Sequence, residues 1–158
     1  MIVAISGTPG TGKTTVSKLL ENEYHVIHIN ELVERDEFNL GLDEKRSCLI
    51  ADTDKLTEYI HSFYEDMQEK KVLIVESHLS HLLDPDLTIV FKTDTSVLID
   101  RLKAKGFGKS KIDENIEAEI MDVILVEATE ISEEVRVIDT TKRPPEDIYK
   151  KVRDIING

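Results

Sequence analysis

A chain of 158 residues with 20 basic and 32 acidic side chains carries a formal charge of −12, with 40% of positions hydrophobic and 33% charged. One domain, residues 1–158, is expected, because a compact chain of this size buries ~70% of its unfolded surface and needs no metal or disulfide staple. The acidic balance excludes a general nucleic-acid binder, whose affinity comes from Lys and Arg neutralising phosphates, so any anion site has to be local.

The first apolar run, Ile2 to Ser6, reads as a strand, and the glycine-rich stretch behind it leads into a run with helical propensity. A second strand is expected over His25 to Ile29, followed by residues 37–51, which lack firm periodicity. A helix opens near Asp52 or Thr53, either able to cap it, and puts Leu56, Ile60, Phe63 and Met67 on one stripe. Strands over Val72 to Glu76 and Leu87 to Phe91 come next, then a helix from about Thr95 to Lys105 with Val97, Leu98 and Leu102 inward, stopped at Gly106. The short stretch Gly106 to Lys111 reads as a loop. A third helix is expected from near Asp113, carrying Ile116, Ile120, Val123 and Ile124 and extending towards Ile131. A last strand, Val135 to Asp139, precedes a helix opened by Pro144 and Pro145, with Ile148, Val152 and Ile155 as its inner face. Strands alternating with helices predict an α/β fold with a five-stranded parallel sheet flanked by helices. No apolar run approaches the ~20 residues that span a bilayer. The start lacks a basic signal-peptide region, and the single cysteine, Cys48, leaves no internal disulfide or Cys-based zinc site. Together these predict a cytoplasmic protein.

Gly7-Thr8-Pro9-Gly10-Thr11-Gly12-Lys13-Thr14 fits the phosphate-loop pattern of P-loop NTPases, in the strand-loop-helix context that the pattern requires. Gly7, Gly10 and Gly12, with Pro9 and Thr11 between them, let backbone N–H groups turn inward around phosphate oxygens, and the following helix, opening with Lys13, Thr14 and Thr15, adds partial positive charge. Lys13 reaches the β and γ phosphates of ATP in such a loop, and the Thr14 hydroxyl ligates Mg²⁺. A metal in that position needs a carboxylate at the end of a neighbouring strand, and Glu76, closing Val72-Leu73-Ile74-Val75, supplies it through water. His78 lies two residues on, where a histidine can position or deprotonate a water; His81 follows, and each histidine taken alone reads as an ordinary surface residue.

The loop, together with Glu-Ser-His at 76–78, Arg-Leu-Lys-Ala-Lys-Gly-Phe at 101–107 and Asn-Ile-Glu-Ala-Glu-Ile at 115–120, resembles the small adenylate kinases of the isoenzyme-six type, over nearly the whole chain and in the same order. The resemblance implies a nucleoside-monophosphate-kinase fold with an AMP-binding segment at about 30–51 and a short lid at about 105–111. It implies reversible transfer from ATP to AMP giving two ADP, with Mg²⁺. It further implies an ATPase role in small-ribosomal-subunit assembly, through a basic ribosomal protein of the subunit platform. On this pattern Arg101 faces the γ-phosphoryl and Lys105 joins it on lid closure, while the loop carrying Lys142 contacts adenine. Three positions depart from the family: Glu76 stands where Asp is frequent, Lys105 where Arg is common, and Lys142 where Gly is common. Lysine keeps the charge of arginine but loses its planar fork.

A kinase must also hold AMP's phosphate, and between the second and third strands only Arg35 and Arg46 are available, in a segment dense with Glu and Asp. Arg35 serves equally well as a partner for those acids. Three functions therefore stand side by side: an AMP kinase, an ATP-driven assembly factor, and a nucleotide-gated binding module with negligible turnover.

Overall fold

The computed structural model describes residues 1–69 and 71–158. Its centre is strand β1 (Ile2–Gly7), apolar from Ile2 to Ile5 and buried along its whole length, as expected of a strand covered on both faces. Side chains alternate across it. Val3 and Ile5 meet Val16 and Leu20 of helix α1 (Lys13–Leu20) and Val152 of the last helix, while Ile2 and Ala4 face the opposite layer.

The chain continues through β2 (His25–His28), a short helix α2 (Ile29–Val33), a hairpin of β3 (Asn39–Asp43) and β4 (Cys48–Ala51), and helix α3 (Thr53–Asp66). Then come β5 (Leu73–Glu76), β6 (Leu87–Lys92), α4 (Thr95–Ala104), α5 (Lys109–Ile120), α6 (Val123–Ile131), β7 (Glu134–Asp139) and α7 (Pro145–Asn157). Five of the strands form one sheet in the order β2-β5-β1-β6-β7, all parallel, with helices on both faces. This is the P-loop, nucleoside-monophosphate-kinase-like α/β architecture. The chain fills one side of β1 and then crosses to the other, and in open parallel sheets ligands bind at the carboxyl ends of strands flanking such a switch. The register brings Gly7, Glu76 and His28 to that edge, with Glu76 level with Ile5 and with His28.

All five expected strands are present to within one or two residues. Asp52 rather than Thr53 caps α3, its carboxylate accepting from Lys55 N at 3.2 Å, and Leu56 and Ile60 are its buried positions. In α7 the buried positions are Ile148, Val152 and Ile156; Ile155 is half-buried. Three expectations are corrected. Residues 37–51 are not irregular, since β3 and β4 pair antiparallel. Their alternation carries no core signature, because Leu40 and Leu42 point to solvent. The third helix does not begin near Asp113: α5 starts at Lys109, where Ile112 inserts against Leu98 and Leu102, so the loop after α4 shrinks to Lys105–Gly108. Nor does it run unbroken to Ile131, because Asp122 turns left-handed at φ 53°. Lys92 holds that corner, donating to Asp122 Oδ1 at 2.7 Å and to the Glu119 carbonyl at 2.7 Å. Ile120, the last residue of α5 before the break, is 67% exposed, so it does not share an inner stripe with Ile116.

Candidate active site

A cleft of about 1180 Å³ opens over the carboxyl edge of the sheet. Its walls are the phosphate loop, the β3–β4 turn, Glu76 and His78, the α4–α5 junction, and the loop between β7 and α7. Eight Lys and Arg side chains line it against two Glu, a cationic pocket in an acidic chain.

The loop is shaped by contacts on its outer side. At Gly7 a Cβ would stand 2.6 Å from the Phe91 carbonyl oxygen, so only glycine lets β1 end this close to β6. Thr11, fully buried, donates from Oγ1 to the Thr8 carbonyl at 2.8 Å, and its own carbonyl accepts from Thr140 Oγ1 at 2.8 Å, tying the loop to the segment after β7. Lys13 is buried, its ammonium donating to the Thr8 carbonyl at 3.1 Å. Desolvation pushes its pKa down to about 8, with Lys105 adding to the fall and Glu76 and Glu119 opposing it. Pro9, Gly10, Gly12, Thr14 and Thr15 also line the cleft.

Thr14 Oγ1 lies 3.4 Å from both Glu76 carboxylate oxygens. These hard oxygen donors suit Mg²⁺, which keeps several waters and takes its other ligands from phosphate. Among the described residues no group of three or more His, Cys, Asp or Glu is placed to hold a metal ion. Glu76 is buried, and His28 Nδ1 sits 2.8 Å from its Oε2 while His28 Nε2 meets Glu21 Oε1 at 2.9 Å. Burial lowers the pKa of His28, but its two carboxylate partners outweigh burial and raise it overall.

His78 lines the same wall, half-buried, with its pKa lowered to about 4 by burial first and then by Lys13, His81 and Lys111. It is neutral at pH 7, able to orient a water but too weak a base to take its proton readily. His81 is no surface residue: it is buried, with Nδ1 at 2.8 Å from Ser6 Oγ and Nε2 at 2.8 Å from Glu127, bracing α6 against β1.

Arg101 is held at the cleft wall, donating to the Gly10 carbonyl at 3.2 Å and the Thr140 carbonyl at 3.3 Å. Lys105 ends α4 beside it. Gly106 then turns left-handed at φ 80°, and Phe107 N donates back to the Leu102 carbonyl at 3.2 Å. Arg46, in the β3–β4 turn, reaches the cleft and pairs with Glu114 at 3.2 Å. Arg35 lies outside it, exposed ahead of the short 3₁₀ turn Asp36–Phe38. Lys142 also stands outside, exposed at φ 49°, and the neighbouring Arg143 and Thr140 form that wall instead. The structure thus gathers Lys13, Thr14, Glu76, His78, Arg101, Lys105 and Arg46 around one space and leaves out Arg35 and Lys142.

Sequence reasoning missed His28, Arg143 and Glu119. His28 was signalled by its place at the carboxyl end of a strand. Glu119 was signalled as an acid three residues beyond Ile116 on the inner stripe of α5, inside the quoted Asn-Ile-Glu-Ala-Glu-Ile segment.

Residues 3–122 match the family described as an AAA domain. Similar proteins are found in archaea. Each of the following carries the name "Putative adenylate kinase": one of Thermococcus kodakarensis, 41% identical over 99% of this chain and 85% of its own length; one of Methanosarcina barkeri, 41% identical over 99% and 86%; and one of Archaeoglobus fulgidus, 42% identical over 100% and 83%. The chain belongs to this adenylate kinase-like family. Membership gives it a nucleotide-kinase-like function. No helix among the described residues is long and apolar enough to cross a membrane.

Proposed function

We propose that the protein is a cytoplasmic adenylate kinase of the isoenzyme-six type, a single kinase domain over 1–158 that moves the γ-phosphoryl of ATP to AMP and yields two ADP. The observation that supports this most is the sharing of one cleft by the loop carrying Lys13 and the β3–β4 turn carrying Arg46. A donor site and an arm able to hold an acceptor phosphate face the same space.

Phosphoryl transfer asks for positioning and for cancellation of spreading negative charge. The loop amides and Lys13 hold the donor phosphates. Lys13 leaves the Thr8 carbonyl to do so, exchanging a neutral acceptor for a charged one. Thr14 would hold Mg²⁺ and Glu76 would hold it through water, with His28 fixing the Glu76 carboxylate; the ion would supply neutralisation of phosphate charge. Arg101 and Lys105 face the transferred group, and Gly106 and Gly108 let the short lid at about 105–111 close. Residues at about 30–51 form the AMP arm, with Arg46 its phosphate ligand and Arg35 free to pair with neighbouring acids. Arg143, in place of Lys142, meets the base. The test is ADP production from Mg·ATP alone and with AMP, CMP, UMP or GMP. Stimulation by AMP above the others supports the reading, and indifference to every monophosphate removes it.

A second reading is an ATPase that assists maturation of the small ribosomal subunit. The neutral His78 beside Lys13 favours it, since a lid with about four non-helical residues between α4 and α5 excludes water incompletely. With eight cations drawn into the cleft, the outer surface is more acidic than the net −12 conveys, which suits docking of a basic platform ribosomal protein. Hydrolysis without AMP that survives His78→Ala unchanged removes His78 from it.

A further inference from the structure

The inner stripe of α5 runs Ile112, Ile116, Glu119, changing from apolar to acidic where the helix crosses the phosphate loop. Glu119 is 5% exposed. A carboxylate buried so deeply is costly unless its lone pairs are met. Here they are, by two different parts of the fold. Oε2 accepts from the Thr8 hydroxyl at 2.6 Å, while Oε1 accepts from Thr93 N at 3.0 Å and from the Lys92 ammonium at 2.9 Å. Lys92 also grips the Glu119 carbonyl and Asp122, so the end of α5 is fixed to the end of β6 on both sides of the left-handed corner.

What Glu119 reaches on the loop is the residue that parks Lys13. The Thr8 carbonyl accepts from Lys13 Nζ at 3.1 Å, Thr11 Oγ1 at 2.8 Å and Thr11 N at 3.3 Å. With its side chain tied to Glu119 and its carbonyl to three donors, the Thr8 peptide has little freedom, and the resting place of the ammonium follows from it. The other end of α5 begins at Lys109, directly after the lid glycines, and Glu119 lies about 15 Å along the same rigid helix.

We propose that Glu119 is a positioning residue for phosphoryl transfer: through the Thr8 hydroxyl it sets the carbonyl that orients Lys13, and it joins the helix leaving the lid to the phosphate loop. This rests on the reading of Lys13 as the ligand of the transferred phosphates. A helix that only had to pack would be served at least as well by an apolar residue here, since a buried ion pair replaced by matched hydrophobic groups is often neutral or stabilising.

The test uses the full chain and steady-state formation of ADP from Mg·ATP and AMP, measured well below the lowest melting midpoint of the set. Thr8→Val keeps shape and backbone carbonyl and removes only the hydroxyl. It is expected to lower kcat about tenfold, the kinetic weight of one well-placed hydrogen bond, with KM for AMP unchanged within about twofold. Thr8→Ser restores the donor and should recover kcat to within about threefold of the original. Glu119→Gln cannot accept at both ends, so it should lose a similar factor, and the double variant should lose no more than the worse single one. Should Glu119→Gln fail to fold, the Val and Ser pair at Thr8 decides alone. Thr8→Val with unaltered kcat, or losses at Thr8 and Glu119 that multiply, overturns the proposal. So does a variant that melts lower yet turns over at the original rate. An unsubstituted protein that makes no ADP from AMP overturns the adenylate kinase reading and this inference with it, whereas active protein beside an equally active Thr8→Val overturns the inference alone.

Discussion

The Lys13 ammonium is held at about 8 because loss of water outweighs the attraction of Glu76 and Glu119, and in the free protein it has only a neutral carbonyl to rest on. Phosphate oxygens would stabilise its charged form, so ATP binding should take up a proton near pH 8 and affinity should fall as pH rises through that value. Stability moves the opposite way. The folded value lies below the ordinary 10.5, so between about 8 and 10.5 the unfolded chain binds more protons and folding gains as pH rises. Calorimetry of ATP binding at pH 8 in buffers of different ionisation enthalpy checks the first statement, and no proton uptake would contradict it. The loop glycines make a second contrast. Gly12 has open space where a Cβ would go, so Gly12→Ala costs only the left-handed strain of φ 92°, about 1–2 kcal/mol. Gly7→Ala must in addition displace the Phe91 backbone, and it should lower the melting midpoint further than Gly12→Ala does.

Elements were legible in the sequence wherever local pattern and tertiary role agreed. Strands β1, β5 and β6 are mostly apolar and almost wholly buried because both faces are covered, and α3 shows its stripe within its own residues with its cap just ahead of them. The break between α5 and α6 was not legible, because nothing near Asp122 demands a left-handed residue; the demand comes from Lys92, thirty positions earlier. The β3–β4 hairpin has the two-residue period, but its leucines are exposed, so the usual link between alternation and a buried face fails. In the site, residues that follow a contiguous motif, from Lys13 to Glu76 and Arg101, were readable, while His28 and Glu119 depend on register and helix crossing. Arg46 sits in the turn at the tip of the β3–β4 arm. Its bond to Glu114 is exposed on both sides, worth ~0–1 kcal/mol, and can be given up to a ligand. Arg46→Ala should therefore leave the melting midpoint nearly unchanged and raise KM for AMP by roughly tenfold, the loss of one charge-assisted contact, with KM for ATP unaffected. An unchanged KM for AMP would move the acceptor phosphate elsewhere.

Across the whole molecule, the sheet separates tasks. Its two faces carry the apolar layers that hold α1 and α7 on one side and α2 and α3 on the other, and its carboxyl edge carries the chemistry. Charge is divided in the same way. A chain of net charge −12 gathers eight basic side chains along one cleft, a local cationic surface of the sign that phosphates need. The parts of the cleft come from segments far apart in sequence, so the family likeness over 3–122 and the geometry around Lys13 point to one nucleotide-kinase-like machine. Phosphorus NMR of the protein with Mg·ATP and AMP distinguishes transfer to AMP from transfer to water. An adenylate kinase consumes the AMP signal and yields two ADP for each AMP lost, without matching inorganic phosphate. AMP left untouched while ATP is converted to ADP and inorganic phosphate would contradict the adenylate kinase reading.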